Sequence, residues 1–253
     1  MSSMTALSDD ELDRYARHIV LKEVGGAGQA RLKAASVAVI GAGGVGSPAI
    51  QALAAAGVGR LIVIDDDHVA LSNLQRQTLF GDADIGRGKA EVAAQAVTRL
   101  NAHVAVTAVA RRIDAANAAA LLAGADVVID GCDNFVTRLA VADAAAHARI
   151  PLVSAAAAQF EGQLAVYRPW EADKPCYRCF VGSDPDRPET SCAEAGVLGA
   201  LTAMIGSLAA LEAIRSIARF GDDPAGKLLL IDALAFRFRT IAVPKDPGCR
   251  CAA

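Results

Sequence analysis

Short all-apolar runs alternate along the chain with longer segments in which apolar residues recur at helical spacing. Ser36–Ile40, Leu61–Asp65, Val104–Val109 and Asp126–Asp130 are too short for stable helices and rich in β-branched residues, so each predicts a buried strand. Helices are predicted over Pro48–Ala56, Lys89–Leu100, Ala115–Ala123 and Arg138–Ala148. Ser8 with Glu11 three residues on fits a capping box, which predicts an N-terminal helix through Tyr15, Ile19 and Val20, broken by Gly25, Gly26 and Gly28. Strand–helix alternation of this kind predicts an α/β fold, a doubly wound, Rossmann-like and mostly parallel sheet. After Pro151 the texture changes. Short strands at Gln163–Tyr167 and Leu228–Asp232, and an alternating, half-exposed strand at Phe236–Val243, predict antiparallel strands that extend the sheet around a long helical region, Ala195–Phe220. No linker of disordered composition divides the chain, so residues 1–253 read as one continuous domain with halves at 1–150 and 151–253.

Composition changes this picture little. Of the 253 residues 53% are hydrophobic, many of them alanine, and only 4% are aromatic, which suits helices packed closely onto a sheet. A net charge of −3 speaks against a nucleic-acid-coating protein. The acidic N-terminus has no apolar core, so no signal peptide is expected, and the protein is expected to be cytoplasmic. The apolar stretch Ala195–Leu211 falls short of a comfortable bilayer span and runs into Glu212, so it reads as a packing or subunit-interface helix and no membrane association is expected. Six cysteines matter more: Cys176/Cys179 and Cys249/Cys251 form two close pairs, which favours metal or thiol chemistry over disulfides.

Gly41-Ala42-Gly43-Gly44-Val45-Gly46 satisfies G-x-G-x-x-G between a strand and a helix, where backbone N–H groups approach phosphates and a helix N-terminus favours negative charge. Asp65 ends the next strand, where a carboxylate accepts hydrogen bonds from ribose hydroxyls. These features alone suit NAD as well as ATP. The polar run Ser72-Asn73-Leu74-Gln75-Arg76-Gln77, with Lys89 beyond it, turns the reading toward phosphoryl or nucleotidyl transfer. Hydride transfer needs no cluster of cations, whereas a departing polyphosphate must have its charge neutralised. Asp133-Asn134 follows a buried strand, at the edge where open α/β sheets bind ligands. A carboxylate there suits magnesium; equally, either residue suits the N-cap of the next helix.

The motifs GAGGVG, IDDDHVALSNLQRQ, DNFVTR, CYRC and SCAEAGV occur in an order and spacing that resembles the ThiF/MoeB/HesA proteins, relatives of the ubiquitin-activating enzymes. The resemblance extends from the RYARHIVL segment to the terminal cysteines. It implies a homodimer that uses ATP and magnesium to adenylate the Gly-Gly carboxyl terminus of a small ubiquitin-like (β-grasp) sulfur-carrier protein of the molybdopterin or thiamine type. By matching motif, Gly41, Gly43, Gly44, Gly46, Asp65 and Asp67 would hold the nucleotide, with Asp65 at the ribose. Ser72, Asn73, Arg76, Gln77 and Lys89 would lie along the phosphates, Asp133 would hold magnesium with Asn134 beside it, and Arg17 would reach the partner subunit's ATP. The first half would then bind nucleotide, and the second half carrier and zinc.

The resemblance also implies a structural Cys₄ zinc site from Cys176, Cys179, Cys249 and Cys251, although Cys249-Arg250-Cys251 is one residue shorter than the family's usual C-x-x-C. Cys192 matches a cysteine that some relatives link to the carrier; a small buried residue is the alternative. Cys132 stands where threonine is common and reads as a packing residue, and His18, His68, His103 and His147 show no ligand-like clustering. No rhodanese-like extension follows Cys251, so a separate sulfur donor is expected. Two other functions fit parts of the chain: a non-catalytic nucleotide-binding partner, and an NAD-dependent oxidoreductase. Intact Arg17, Arg76, Lys89 and Asp133 argue against the first, and only the glycine motif supports the second.

Overall fold

The computed structural model describes residues 6–182, 196–249 and 251. Its elements, in chain order, are α1 (Asp9–Arg14), α2 (Ala16–Ile19), α3 (Gly25–Ala34), β1 (Ser36–Ile40), α4 (Gly46–Ala56), β2 (Arg60–Ile64), α5 (Lys89–Leu100), β3 (Ala105–Val109), α6 (Ala118–Leu121), β4 (Val127–Asp130), α7 (Phe135–His147), β5 (Leu152–Ala158), β6 (Glu161–Tyr167), α8 (Tyr177–Val181), α9 (Gly199–Ala218), β7 (Lys227–Asp232) and β8 (Arg237–Ala242). They form one eight-stranded sheet in the order β3-β2-β1-β4-β5-β6-β7-β8. The first five strands in that order are parallel, and β6, β7 and β8 join antiparallel. This is the expected doubly wound sheet with an antiparallel extension.

Period-two alternation in the strands builds two cores. Val37 and Val39 of β1 face one layer, with α4, α5 and α9, whereas Ala38 and Ile40 face the other, with α6 and α7. Because both faces are covered, β1 and β4 are buried at every position, as the continuous apolar runs anticipate. The winding reverses between β1 and β4, so their carboxyl ends splay apart and leave a crevice there. By length and composition α9 is long and apolar enough to cross a membrane. It packs instead against α4, β5 and β6, burying Leu201, Ile205, Ala209 and Ala213. Gly206 permits the approach, since a Cβ there would lie within van der Waals radius of the Val45 carbonyl oxygen, at 2.2 Å.

Three expectations need correction, and one further strand, β5, was not anticipated. The N-terminal helix divides at Tyr15 into α1 and α2, although the Ser8–Glu11 capping box is present. Gly25, Gly26 and Gly28 lie inside α3 rather than in a break, and Gly28 sits against Val24 and Ala218, where a side chain would crowd. The alanine run at 152–158 is strand β5, because its backbone pairs on both sides with β4 and β6 and tertiary hydrogen bonding overrides alanine's helix propensity. Finally, β8 is exposed at all six positions, not half-buried, because it is the sheet's edge.

Candidate active site

At the carboxyl ends of the parallel strands lies a cleft of about 850 Å³. Gly41, Gly43, Gly44, Asp65, Asp67, Asn73, Arg76, Gln77, Lys89, Asp133 and Asn134 all line it. Residues scattered over nearly a hundred positions are thus brought to one edge by the strands that precede them.

The glycine turn between β1 and α4 is built on backbone contact. Gly41 has φ +81°, a left-handed conformation that glycine adopts without a steric cost, and its N–H donates to the Ile64 carbonyl at 2.9 Å. A Cβ on Gly46 would lie 1.8 Å from the Gly41 carbonyl oxygen, so Gly46 serves the turn rather than the cleft. At Gly43 a Cβ would meet only Gln77 Nε2, at 3.7 Å, which leaves room beside the turn. A Cβ on Gly44 would crowd Thr202 of α9 at 3.1 Å, so α9 buttresses the turn from behind. Asp65 secures it from the front: Oδ2 accepts the Ala42 N–H at 2.7 Å and Oδ1 accepts the Asp67 N–H at 2.8 Å. Burial raises the Asp65 carboxyl above its ordinary value, and the nearby Lys89 charge offsets only part of that.

Lys89 opens α5 with its side chain buried and its ammonium 2.9 Å from Asp67 Oδ2. Asn73 Oδ1 accepts the Ala70 N–H, which folds the polar run into a 3-10 turn, and Arg76 Nη1 donates to the Ser72 carbonyl at 2.9 Å. Ser72 itself does not line the cleft and holds Arg76 through its backbone. Gln77 is buried with no hydrogen-bond partner for Oε1 among the described residues, an orphaned acceptor at the cleft wall. Arg17 is exposed on α2 and does not line the cleft.

Beyond β4, Asn134 is the N-cap of α7: its Oδ1 accepts the Thr137 N–H at 2.9 Å. Asp133 is exposed in the cleft and makes no hydrogen bond or ion pair among the described residues. The two residues therefore divide the roles that were open between them, Asn134 capping and Asp133 free for a ligand. Cys132 does more than pack, since its thiol donates to Asp130 Oδ1 at 2.8 Å. Sequence reasoning passed over Arg138, Asp130, Arg111, Arg112, Arg237 and Arg239, of which all but Asp130 line the cleft. Arg111 and Arg112 follow the carboxyl end of β3, so the rule that located Asp133 would have found them. Arg138 in α7 is buried, which its place in the sequence does not reveal.

The cysteine pairs converge although 73 positions separate Cys176 from Cys249. Cys176 Sγ lies 3.6 Å from both Cys179 Sγ and Cys249 Sγ, and the sulfurs of Cys176, Cys249 and Cys251 lie within 4.8 Å of one another. Tetrahedral zinc–thiolate bonds place sulfurs about 3.8 Å apart, so Cys176, Cys249 and Cys251 are spaced as zinc ligands and the shortened tail still reaches, whereas Cys179 stands outside that group of three and approaches it through Cys176. Burial pushes the Cys176 thiol well up, while hydrogen bonds from its neighbours overcome burial and draw Cys249 down. No histidine joins a potential metal group among the described residues. Cys192 lies outside the described residues.

Known proteins match this chain over nearly its whole length. SAMP-activating enzyme E1 of Haloferax volcanii is 46% identical over 248 residues, 96% of this chain and 90% of that protein. Molybdopterin-synthase adenylyltransferase of Escherichia coli is 44% identical, covering 97% and 98% of the two chains. Sulfur carrier protein adenylyltransferase of Thermus thermophilus is 48% identical, covering 95% and 90%. Among solved structures, E. coli MccB with ATP superposes with a TM-score of 0.82 at 23% identity, over 97% of this chain and 75% of that one, which shows the shared fold. The ThiF family pattern matches residues 15–251, and this chain belongs to the ThiF family.

Proposed function

We propose that the protein is an ATP-dependent adenylyltransferase that activates the C-terminal Gly-Gly carboxylate of a small ubiquitin-like sulfur carrier and releases pyrophosphate. One observation carries the reading. The cleft gathers a glycine turn at a helix N-terminus, a ribose-reach carboxylate, a buried lysine, an arginine and an unpaired acid, in a chain 44% identical along its length to a named adenylyltransferase. An oxidoreductase has no use for that cation cluster.

The residues fit ATP and magnesium. Space beside Gly43 leaves room for a phosphate at the turn, and Asp133 offers a hard oxygen with no protein partner among the described residues. The Gly41–Gly46 turn and the first turn of α4 would receive the phosphates, and Asp65 the ribose. Asn73, Arg76 and Lys89 would donate to the phosphate oxygens. Lys89 is held ready by Asp67, whose side chain is 70% exposed, so the ammonium is buried but its partner is loosely kept. Asp133 would hold magnesium, which spreads the charge that develops on the polyphosphate when it is bound. The carrier carboxylate attacks the α-phosphorus and pyrophosphate departs, so no residue of this chain need act as a nucleophile. What the protein supplies is alignment of two anions and a surrounding of fixed positive charge.

The second half suits the carrier. Edge strand β8 is exposed throughout, and Leu234, Phe236 and Phe238 present a largely exposed apolar surface where Arg237 and Arg239 border the cleft. Homodimerisation would cover Val20, which is 75% exposed, and carry Arg17 to the neighbouring subunit's cleft. Zinc on the cysteine pairs would tie the tail to α8, and the carrier would meet the enzyme in the cytoplasm.

ATP–pyrophosphate exchange with purified Gly-Gly-ended carriers tests this directly. Exchange should depend on the carrier, and Asp133→Ala should abolish it while leaving the circular dichroism spectrum unchanged. Carrier-independent NAD reduction, or parental exchange by Asp133→Ala, would overturn the respective parts of the reading.

A further inference from the structure

Asp133 has to be aimed, yet nothing holds its side chain among the described residues. Its position is therefore set through its backbone. The Cys132–Asp133 peptide is a rigid plane, and its carbonyl oxygen receives two donors from one buried side chain. Arg138 Nε donates to the Cys132 carbonyl at 2.8 Å and Nη2 donates to the same oxygen at 2.5 Å. Nη2 also donates to the Ala155 carbonyl on β5 at 2.7 Å, and Nη1 reaches Ser154 Oγ at 3.4 Å. Thus one guanidinium staples the Asp133 turn to the neighbouring strand.

An ordinary ion pair would be arranged otherwise. Asp130 ends β4 with its side chain 1% exposed, and its Oδ2 accepts no hydrogen bond. Arg138 Nη1 stands 3.8 Å away, when a bidentate arginine–carboxylate pair would close to about 2.8 Å. The fork is turned toward the carbonyls, at the expense of its carboxylate. Asp130 compensates by accepting the Cys132 N–H and thiol on Oδ1, so the same turn is gripped from a second direction. Tyr177 lies against Arg138 and packs on Phe135, the residue that opens α7 two positions after Asp133. Burying such a pair seldom adds net stability over apolar residues of the same size, so stability alone does not account for a buried pair at this place.

We propose that Arg138 is a positioning residue for adenylation: from inside the fold it fixes the Cys132–Asp133 peptide plane, and so the direction in which the Asp133 carboxylate enters the cleft. The proposal rests on the adenylation reading and on Asp133's place in it. Arg138 touches neither carrier nor nucleotide in this role, so its loss should lower kcat and leave ATP binding nearly intact, because the glycine turn, Asp65 and Lys89 are untouched.

The decisive variant is the double substitution Asp130→Asn with Arg138→Met, which removes both buried charges together and avoids leaving a lone carboxylate in the core. It should fold, bind ATP by isothermal titration calorimetry within about threefold of the parent, and lose about 100-fold in kcat of carrier-dependent pyrophosphate exchange, as about 1 Å of misplacement implies. Arg138→Lys keeps the charge but offers a single ammonium in place of the fork, so it should fall between, about tenfold down in kcat with unchanged ATP affinity. Exchange by the double variant within about threefold of the parent, alongside a dead Asp133→Ala control, overturns the positioning role and leaves the adenylation reading standing. Parental exchange by Asp133→Ala overturns that residue's role and this inference with it. If the double variant fails to fold, Arg138→Lys decides by the same criterion: parental kcat overturns the proposal and a selective kcat loss supports it.

Discussion

Substituting Gly46 by alanine is the sharpest way to break the proposed nucleotide cradle without touching a charged residue. The added Cβ would lie 1.8 Å from the Gly41 carbonyl oxygen and 2.8 Å from its carbon. Real Cβ contacts do not fall below 3.0 Å, so the turn must move by about 1.2 Å, the difference between 3.0 and 1.8. Little in the surroundings can yield. Gly41 is tied to Ile64, and the following N–H, of Ala42, is held by Asp65 at 2.7 Å. A shift of that size disengages one or two backbone N–H groups from a phosphate. Hydrogen bonds to a charged acceptor contribute about 1.5–3 kcal/mol each, so losing two costs about 3–6 kcal/mol. At about 1.4 kcal/mol per decade, ATP affinity should fall by about 10²–10⁴-fold. Overpacking should also lower stability by about 1–3 kcal/mol, a drop of about 2–12 °C in Tm for a chain of this size. Isothermal titration calorimetry with ATP and a thermal melt measure the two effects. Gly43→Ala is the control that separates them: its Cβ meets only Gln77 Nε2 at 3.7 Å, so the melt should stay put while a side chain beside the turn still weakens ATP binding. If Gly46→Ala binds ATP within about threefold of the parent, the turn is not the phosphate cradle and the argument from backbone contact fails.

Two further outcomes are expected. Burial holds the Asp65 carboxyl above its ordinary value, so it takes up its proton at a higher pH than an exposed aspartate as the solution is acidified. ATP affinity should accordingly begin to fall at a pH above the usual aspartate range, and Asp65→Asn should bind weakly at every pH with that dependence gone; a parental profile in Asp65→Asn removes Asp65 from the ribose. Purified protein should carry about one zinc per chain by atomic emission, and Cys249→Ser should lose most of it and free the tail to protease, since three remaining thiols leave the tetrahedral set incomplete. Zinc content unchanged in Cys249→Ser would show that the metal is held elsewhere.

Much of this was legible in the amino-acid order, for identifiable reasons. The strands β1, β2 and β4 are buried on both faces and announce themselves as apolar runs, and Gly41–Gly46 and Asp65 sit at fixed offsets from them. Local geometry dictates those positions, so local pattern suffices. The division between Asp133 and Asn134 was not legible, because either side chain satisfies an N-cap until the path of the backbone is known. Strand β5 was hidden for a related reason: alanine's own preference is helical, and only pairing with β4 and β6 decides otherwise.

The sequence by itself determined the sheet's winding, the location of its ligand edge and the chemical character of the residues placed there, since these follow from periodicity and from offsets of a few residues. Tertiary structure alone decided that the two distant cysteine pairs converge, that Lys89 is buried against Asp67, and that Arg138 spends its donors on the Cys132 and Ala155 carbonyls. Each of those is a contact between segments far apart in the chain, and the strength and direction of such a contact depend on distance and burial, quantities that exist only after the chain has folded.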